Sequence, residues 1–127
     1  MKLERFNSES VPAAVGPYVH GIRCGNMILT SGQIPEDAAT GEMITEIRAA
    51  TLCVLTNLMA IVEECGGSKA TVARVDVYVK SMDDFDAINE VYAEFFGEHK
   101  PTRVLTEAKY IAGDALLEAA MIAFTAD

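Results

Sequence analysis

The sequence predicts one domain that mixes strands and helices in the order strand, strand, helix, strand, helix, strand, strand. Three observations predict it. Two apolar extended runs break at Gly25-Asn26, two segments carry apolar residues at the helical period, and a β-branched run separates those segments. A chain of 127 residues suits a single domain with enough mass to bury a core. Its composition, 50% hydrophobic and 23% charged, is that of a globular protein and not a disordered one. There is no internal repeat, low-complexity tract or linker.

Residues 18–25 and 27–34 read as two strands of a hairpin, because glycine and asparagine both tolerate the positive φ of a tight turn. A polar loop from Pro35 to Glu42 follows. Over 46–65, Ile47, Val54, Leu55, Leu58, Ile61, Val62 and Cys65 recur at helical spacing. Gly66-Gly67 stops that helix, since glycine takes the left-handed cap conformation without a Cβ penalty. Residues 72–80 are β-branched and partly alternating, which is strand chemistry. Asp83 or Asp84 can cap a second helix with the stripe Phe85, Ile88, Tyr92, Phe95 and Phe96, closed by Gly97 and Pro101. A strand is read over 102–109. Residues 115–125 are good helix formers, yet their place after a strand and a Gly113-Asp114 turn argues for a hairpin partner.

Several classes are disfavoured. The first residues, Met1 to Phe6, lack the apolar stretch of a signal peptide, and no apolar run approaches the ~20 residues of a membrane helix. A soluble, cytoplasmic protein is expected. Cys24, Cys53 and Cys65 are odd in number and lack C-x-x-C spacing, so they read as small core residues and not as a disulfide or zinc framework. Two histidines, His20 and His99, cannot build a His-rich metal site. With 19 acids against 10 bases, the net charge of −9 disfavours a nucleic-acid grip.

Four stretches carry a family likeness. They are Gly16-Pro17-Tyr18 with Gly25-Asn26-Met27-Ile28; Thr30-Ser31-Gly32-Gln33-Ile34-Pro35; Asp84-Phe85 with Asn89, Tyr92 and Phe95-Phe96; and Pro101-Thr102-Arg103 with Glu118 fifteen residues later. In that order, over roughly residues 13–124, the chain resembles the Rid family, also called YjgF/UK114. The best understood members are cofactor-free and hydrolyse reactive 2-imino acids to 2-keto acids and ammonia. The resemblance implies an α+β fold like that of the small trimeric bacillus-type chorismate mutases: a mostly antiparallel sheet with two helices on one face. It also implies a homotrimer with clefts between subunits, and it is the main support for a strand over 115–125.

The resemblance implies site roles as well. Arg103 matches the carboxylate-binding arginine, whose planar guanidinium can hold a carboxylate through two parallel bonds. Otherwise it is a strand arginine in a weak surface ion pair. Glu118, the only charge between Ala115 and Phe124, matches the glutamate that positions or activates the attacking water. Its alternatives are a structural partner for Arg103 or an exposed position on a helix. Tyr18 would lie over the cleft, by ring or by hydroxyl, or be an ordinary half-buried tyrosine. Ser31 and Gly32 would offer a hydroxyl and a backbone N–H to the carboxylate, or mark a kinked strand end. Asn89 would face the cleft or satisfy buried backbone, with the second favoured.

If 102–109 and 115–125 form a hairpin, an odd sum of paired residue numbers puts Arg103 and Glu118 on one face, and an even sum separates them. An odd sum is expected. Leu105 stands where many relatives carry cysteine, which removes a thiol role there. Thr106 and Ala119 also depart from the usual residues and bear on substrate scope. Two other functions compete: a non-catalytic binder of small carboxylates such as keto acids, and, more distantly, the endoribonuclease or translation-inhibitor role attached to some relatives. Chaperone-like holding of unfolded chains would need exposed apolar surface that a sequence does not locate.

Overall fold

A computed structural model describes residues 2–127. In chain order the elements are β1 (Leu3–Phe6), β2 (Gly21–Cys24), β3 (Met27–Thr30), α1 (Ile47–Glu64), β4 (Gly67–Val79), α2 (Phe85–Phe96), β5 (Thr102–Glu107) and β6 (Leu117–Thr125). The strands form one six-stranded sheet in the order β1-β2-β3-β6-β4-β5. All neighbours are antiparallel except β4 and β5. The fold is α+β, as expected.

The predicted β2–β3 hairpin is present, with Cys24 opposite Met27. Of the two turn residues only Gly25 takes positive φ, at 62°. Its strands are shorter than the sequence suggests, because the chain leaves the ladder after Thr30. The edge strand β1 was not legible: four residues, mostly exposed, offer too little pattern. Helix α1 lies where its period puts it. The Glu46 carboxylate caps it, accepting from Arg48 N at 2.6 Å and Ala49 N at 3.1 Å. Those two donors hold the Glu46 carboxyl below its ordinary pKa. Gly66, at φ 98°, turns the chain out of the helix. Asp84 holds the N-cap position of α2, but neither its carboxylate nor that of Asp83 accepts a capping bond. Ser81 instead caps a 3₁₀ turn over Met82–Asp84, its Oγ accepting from Asp83 N at 3.1 Å, and α2 continues from that turn.

The core lies between the sheet and α1. Ala50, Val54, Leu58, Ile61 and Val62 of α1 meet Ile28, Val75, Val77, Met121 and Ala123 of the sheet. Cys65 belongs to this core, while Cys24 and Cys53 are half-buried, and all three thiols are free. Burial pushes the Cys65 thiol up to about 11, so it is inert. The opposite face of the sheet is uncovered and carries Met27, Leu29, Tyr78, Val104 and Phe124, each partly exposed. No helix is long and apolar enough to cross a membrane among the described residues.

One expectation is overturned. Strands β5 and β6 do not form a hairpin, because β4 lies between them, parallel to β5 and antiparallel to β6. Residues 108–116 are long enough to pass over the end of β4, where Ala108 N donates to Val79 O and Lys80 N to Leu116 O, both at 2.9 Å. A short turn would have forced the neighbouring pair; this connection does not.

Leu58 is fully buried at the centre of the helix–sheet layer. Leu58→Ala should lower unfolding free energy by about 2–5 kcal/mol in urea, through lost transfer energy and the cavity left behind.

Candidate functional site

The site is built on β6 and the two strands that flank it. Along β6 burial alternates: Leu117, Ala119, Met121 and Ala123 point into the core, and Glu118 points to the open face. Strand β3 pairs with β6 as far as Leu29 opposite Ile122. Pairing resumes one residue out of register at Gln33 opposite Ala119, joined by bonds of 2.9 and 3.2 Å. Between them the Thr30 hydroxyl replaces a ladder partner by accepting from Met121 N at 2.8 Å. Ser31 and Gly32 therefore sit in a bulge beside Glu118, the kind of local irregularity that re-aims groups next to sites.

Gly32 leaves the room that the Glu118 carboxylate occupies there. A Cβ at this position would stand 3.0 Å from Glu118 Cδ and overlap its carboxylate. Among the described residues nothing accepts from the Gly32 N–H. The Ser31 hydroxyl is not a free donor: it donates to Val19 O at 2.6 Å, while Ser31 N donates to His20 O at 2.9 Å. Tyr18, Gly32 and Glu118 line one cleft together with Pro12, Val15 and Ala112. Tyr18 is 45% exposed and also borders a second hollow with Ser31 on the open face.

Arg103 lies elsewhere. It stands opposite Val75 on β4, which stands opposite Met121 on β6, whereas Glu118 stands opposite Tyr78. Met121 and Glu118 are three positions apart, so Arg103 and Glu118 point to opposite faces of the sheet. The expected odd register does not arise, because β5 and β6 are not paired, and the expectation that Arg103 and Glu118 share a face is overturned. Arg103 faces α2, where Nη1 donates to Asn89 Oδ1 at 2.8 Å and the guanidinium carbon lies 4.8 Å from the Tyr92 ring centroid. Asn89 serves this arginine and not buried backbone, which corrects the favoured reading of it. Asn89, Tyr92, Phe96, His99, Lys100 and Arg103 line a cleft of about 370 Å³.

The electrostatics of the two halves differ. Arg23, Arg48 and Arg74 each pair with an acid. Arg103 is held by neutral partners and, among the described residues, has no carboxylate counterion. A half-buried guanidinium that is oriented but unpaired is a seat for a planar anion. The Tyr92 hydroxyl beside it is buried without a hydrogen-bond partner among the described residues. Burial pushes its pKa up to about 12, although the Arg103 charge pulls the other way. No cluster of histidine, cysteine and carboxylates able to hold a metal exists among the described residues.

The fold of one sheet and two helices is shared with known proteins. The family model described as Endoribonuclease L-PSP matches residues 8–125. A RutC family protein of Pyrococcus abyssi is 43% identical over 125 residues, covering 98% of each chain. The 2-iminobutanoate/2-iminopropanoate deaminase of Escherichia coli K12 is 40% identical over 119 residues, covering 91% of this chain and 93% of that one. The crystal structure of E. coli TdcF with bound serine superposes with a TM-score of 0.93 at 36% identity, covering 97% and 99% of the two chains. The chain belongs to the Rid/YjgF family.

Tyr92 gives a spectroscopic check. Its folded pKa is raised from the ordinary 10.0 to about 12, so the folded state holds its proton more tightly than the unfolded chain does. Stability from this group is fully present below pH 10.0 and is lost as pH rises toward about 12. Absorbance titration at high pH should show one late tyrosine that disappears in Tyr92→Phe, and the variant's stability should decline less over the same window.

Proposed function

We propose that this protein hydrolyses short 2-imino acids to 2-keto acids and ammonia, at clefts formed where copies of the chain meet. The carrying observation is that an oriented arginine, with no acidic partner among the described residues, and a glutamate beside a glycine bulge lie on opposite faces of one sheet. Neither half can then serve the other within a chain, but an assembly that covers the open apolar face can bring them together. A homotrimer is the assembly this reading uses. The deaminase relative in E. coli supports the reaction class.

In this reading Arg103, oriented by Asn89, binds the substrate carboxylate through paired N–H···O bonds, each worth about 1.5–3 kcal/mol. The C=N carbon then lies toward the partner's Glu118. Glu118 accepts a proton from water as the water oxygen bonds to the imine carbon, and returns it to the nitrogen to give a neutral carbinolamine. It then takes the carbinolamine hydroxyl proton and delivers it to the same nitrogen, so that the C–N bond breaks and ammonia leaves as the C=O forms. Water supplies the oxygen and no electrons are exchanged, so the reaction needs no cofactor. Gly32 offers its free N–H to the reacting end. Ser31 offers an acceptor oxygen, its proton being committed to Val19. The Tyr18 ring covers the substrate.

A small-carboxylate binder remains the second reading, because Arg103 alone would suffice for it. The endoribonuclease description of the family model is poorly matched by a net charge of −9 and the absence of tryptophan. The test generates 2-iminobutyrate with a pyridoxal-phosphate threonine dehydratase and traps it with semicarbazide. The wild type should suppress the semicarbazone and Arg103→Ala should not. Glu118→Gln should lose on the order of 10²-fold or more in kcat while still binding 2-oxobutyrate. Equal turnover by Glu118→Gln and wild type would remove Glu118 from the chemistry, and no suppression by wild type with several precursors would end the enzyme reading and favour the binder.

A shared site makes a separate prediction. Arg103→Ala and Glu118→Gln chains, each inactive alone, should regain about a quarter of wild-type activity after co-refolding at equal amounts, from clefts that draw one good residue from each. Clefts built within one chain would give no recovery.

A further inference from the structure

The wall of the Glu118 cleft nearest the N-terminus is an irregular segment, residues 7–17, which supplies Pro12 and Val15 and leads into Tyr18. Val11 of this segment is buried in the core, and a local turn joins Gly16 O to Tyr18 N at 2.9 Å. Beyond these, among the described residues, the segment makes polar contact with the rest of the protein at two places. One is an exposed bond from Ser10 Oγ to Glu64 at 3.4 Å. The other is the ring of His20, which is only 2% exposed. Ser8 N donates to His20 Nδ1 at 2.9 Å, and Nε2 lies 2.9 Å from Pro12 O. A carbonyl only accepts, so Nε2 carries the hydrogen, and Nδ1 must be bare to receive the Ser8 N–H. Both ring nitrogens of His20 are therefore committed. Its backbone is equally placed: His20 N donates to Phe6 O at 3.1 Å, and His20 O accepts from Ser31 N in the bulge at 2.9 Å.

We propose that His20 is a positioning residue of the cleft. Its imidazole clamps residues 8–12 against the sheet and so holds the Pro12–Tyr18 wall at the distance from Glu118 that substrate needs. Glu118 stands on β6 beside Gly32, and both lie outside the segment. Loosening the wall should therefore weaken substrate binding far more than it slows the chemical step. This inference rests on the imine-hydrolase reading for its kinetic readout, but not for its structural one.

The experiment compares wild type, His20→Leu and His20→Gln by amide hydrogen exchange and by imine-hydrolysis kinetics. Leucine fills the volume without polar atoms. Glutamine offers a carbonyl to Ser8 N–H and an amide N–H to Pro12 O. His20→Leu should speed exchange over residues 8–17 by about tenfold or more, with other segments unchanged. It should raise KM roughly tenfold and change kcat less than about threefold. His20→Gln should return both to near wild type. Unchanged exchange in His20→Leu overturns the clamp, and faster exchange with unaltered kinetics overturns the positioning role. A KM raised equally in His20→Gln while the segment stays protected overturns it too, since the imidazole would then act directly. Should His20→Leu fail to fold, Ser8→Pro removes the N–H received by Nδ1 together with the hydroxyl that accepts from Ser10 N, and fixes φ at residue 8, and the same split is required of it. An inactive wild type would sink the hydrolase reading alone; the comparison then uses Kd for 2-oxobutyrate in place of KM. A wild type that neither turns over imine nor binds 2-oxobutyrate sinks both.

Discussion

The rest of this structure depends on the period-two alternation of one strand with hydrogen-bonded neighbours on both sides. Strand β6 pairs with β3 and β4, and its alternate residues are committed to a dry core. A slip of one residue would expose Leu117, Ala119, Met121 and Ala123 and bury Glu118. At roughly 25 cal/mol per Å² of apolar surface, losing four buried side chains far outweighs any single polar contact. The core thereby decides which way a glutamate points, although the core never touches it. The bulge at Ser31-Gly32 then adapts the neighbouring strand to that glutamate.

The arginine is held by a different logic. Its position follows from the parallel pairing of β4 with β5, which requires the α2 crossover and brings that helix over the strand. The same crossover that places Arg103 supplies its partners, Asn89 and Tyr92, from consecutive turns of α2. Among the described residues, a buried hydroxyl without a partner and a cation without an acid lie side by side. Both are costs in an isolated chain, and polar groups left unsatisfied in this way tend to mark function.

Much of this was legible in the sequence. The periodic stripe of α1, the Gly25 turn and the β-branched run of β4 are local signals that each follow from one backbone preference. Glu118 was legible because a lone carboxylate in an apolar strand stands out, and Arg103 because the ordered family pattern reached it. Strand order was not legible, because nothing in residues 108–116 says whether the chain returns beside β5 or passes over β4. That single ambiguity reversed the facing of Arg103 relative to Glu118. Asn89 was read as a backbone partner because a polar residue on an apolar helical stripe shows its need for a bond and not who meets it. The role of His20 was hidden for the same reason, since its partners, Ser8 and Pro12, lie on an irregular segment with no periodic signature.

The central seat of β6 also bears on how the protein is made. Met27 pairs with Phe124, so the middle ladder joins residues almost a chain length apart. Until residues 117–125 have been synthesised, the β1-β2-β3 and β4-β5 halves are separate ribbons, each with an unpaired apolar edge. Such non-local closure is slow compared with helix formation, and the nascent chain must wait with sticky edges exposed. Growth temperature and chaperone supply during expression should therefore govern yield more than the stability of the finished molecule does.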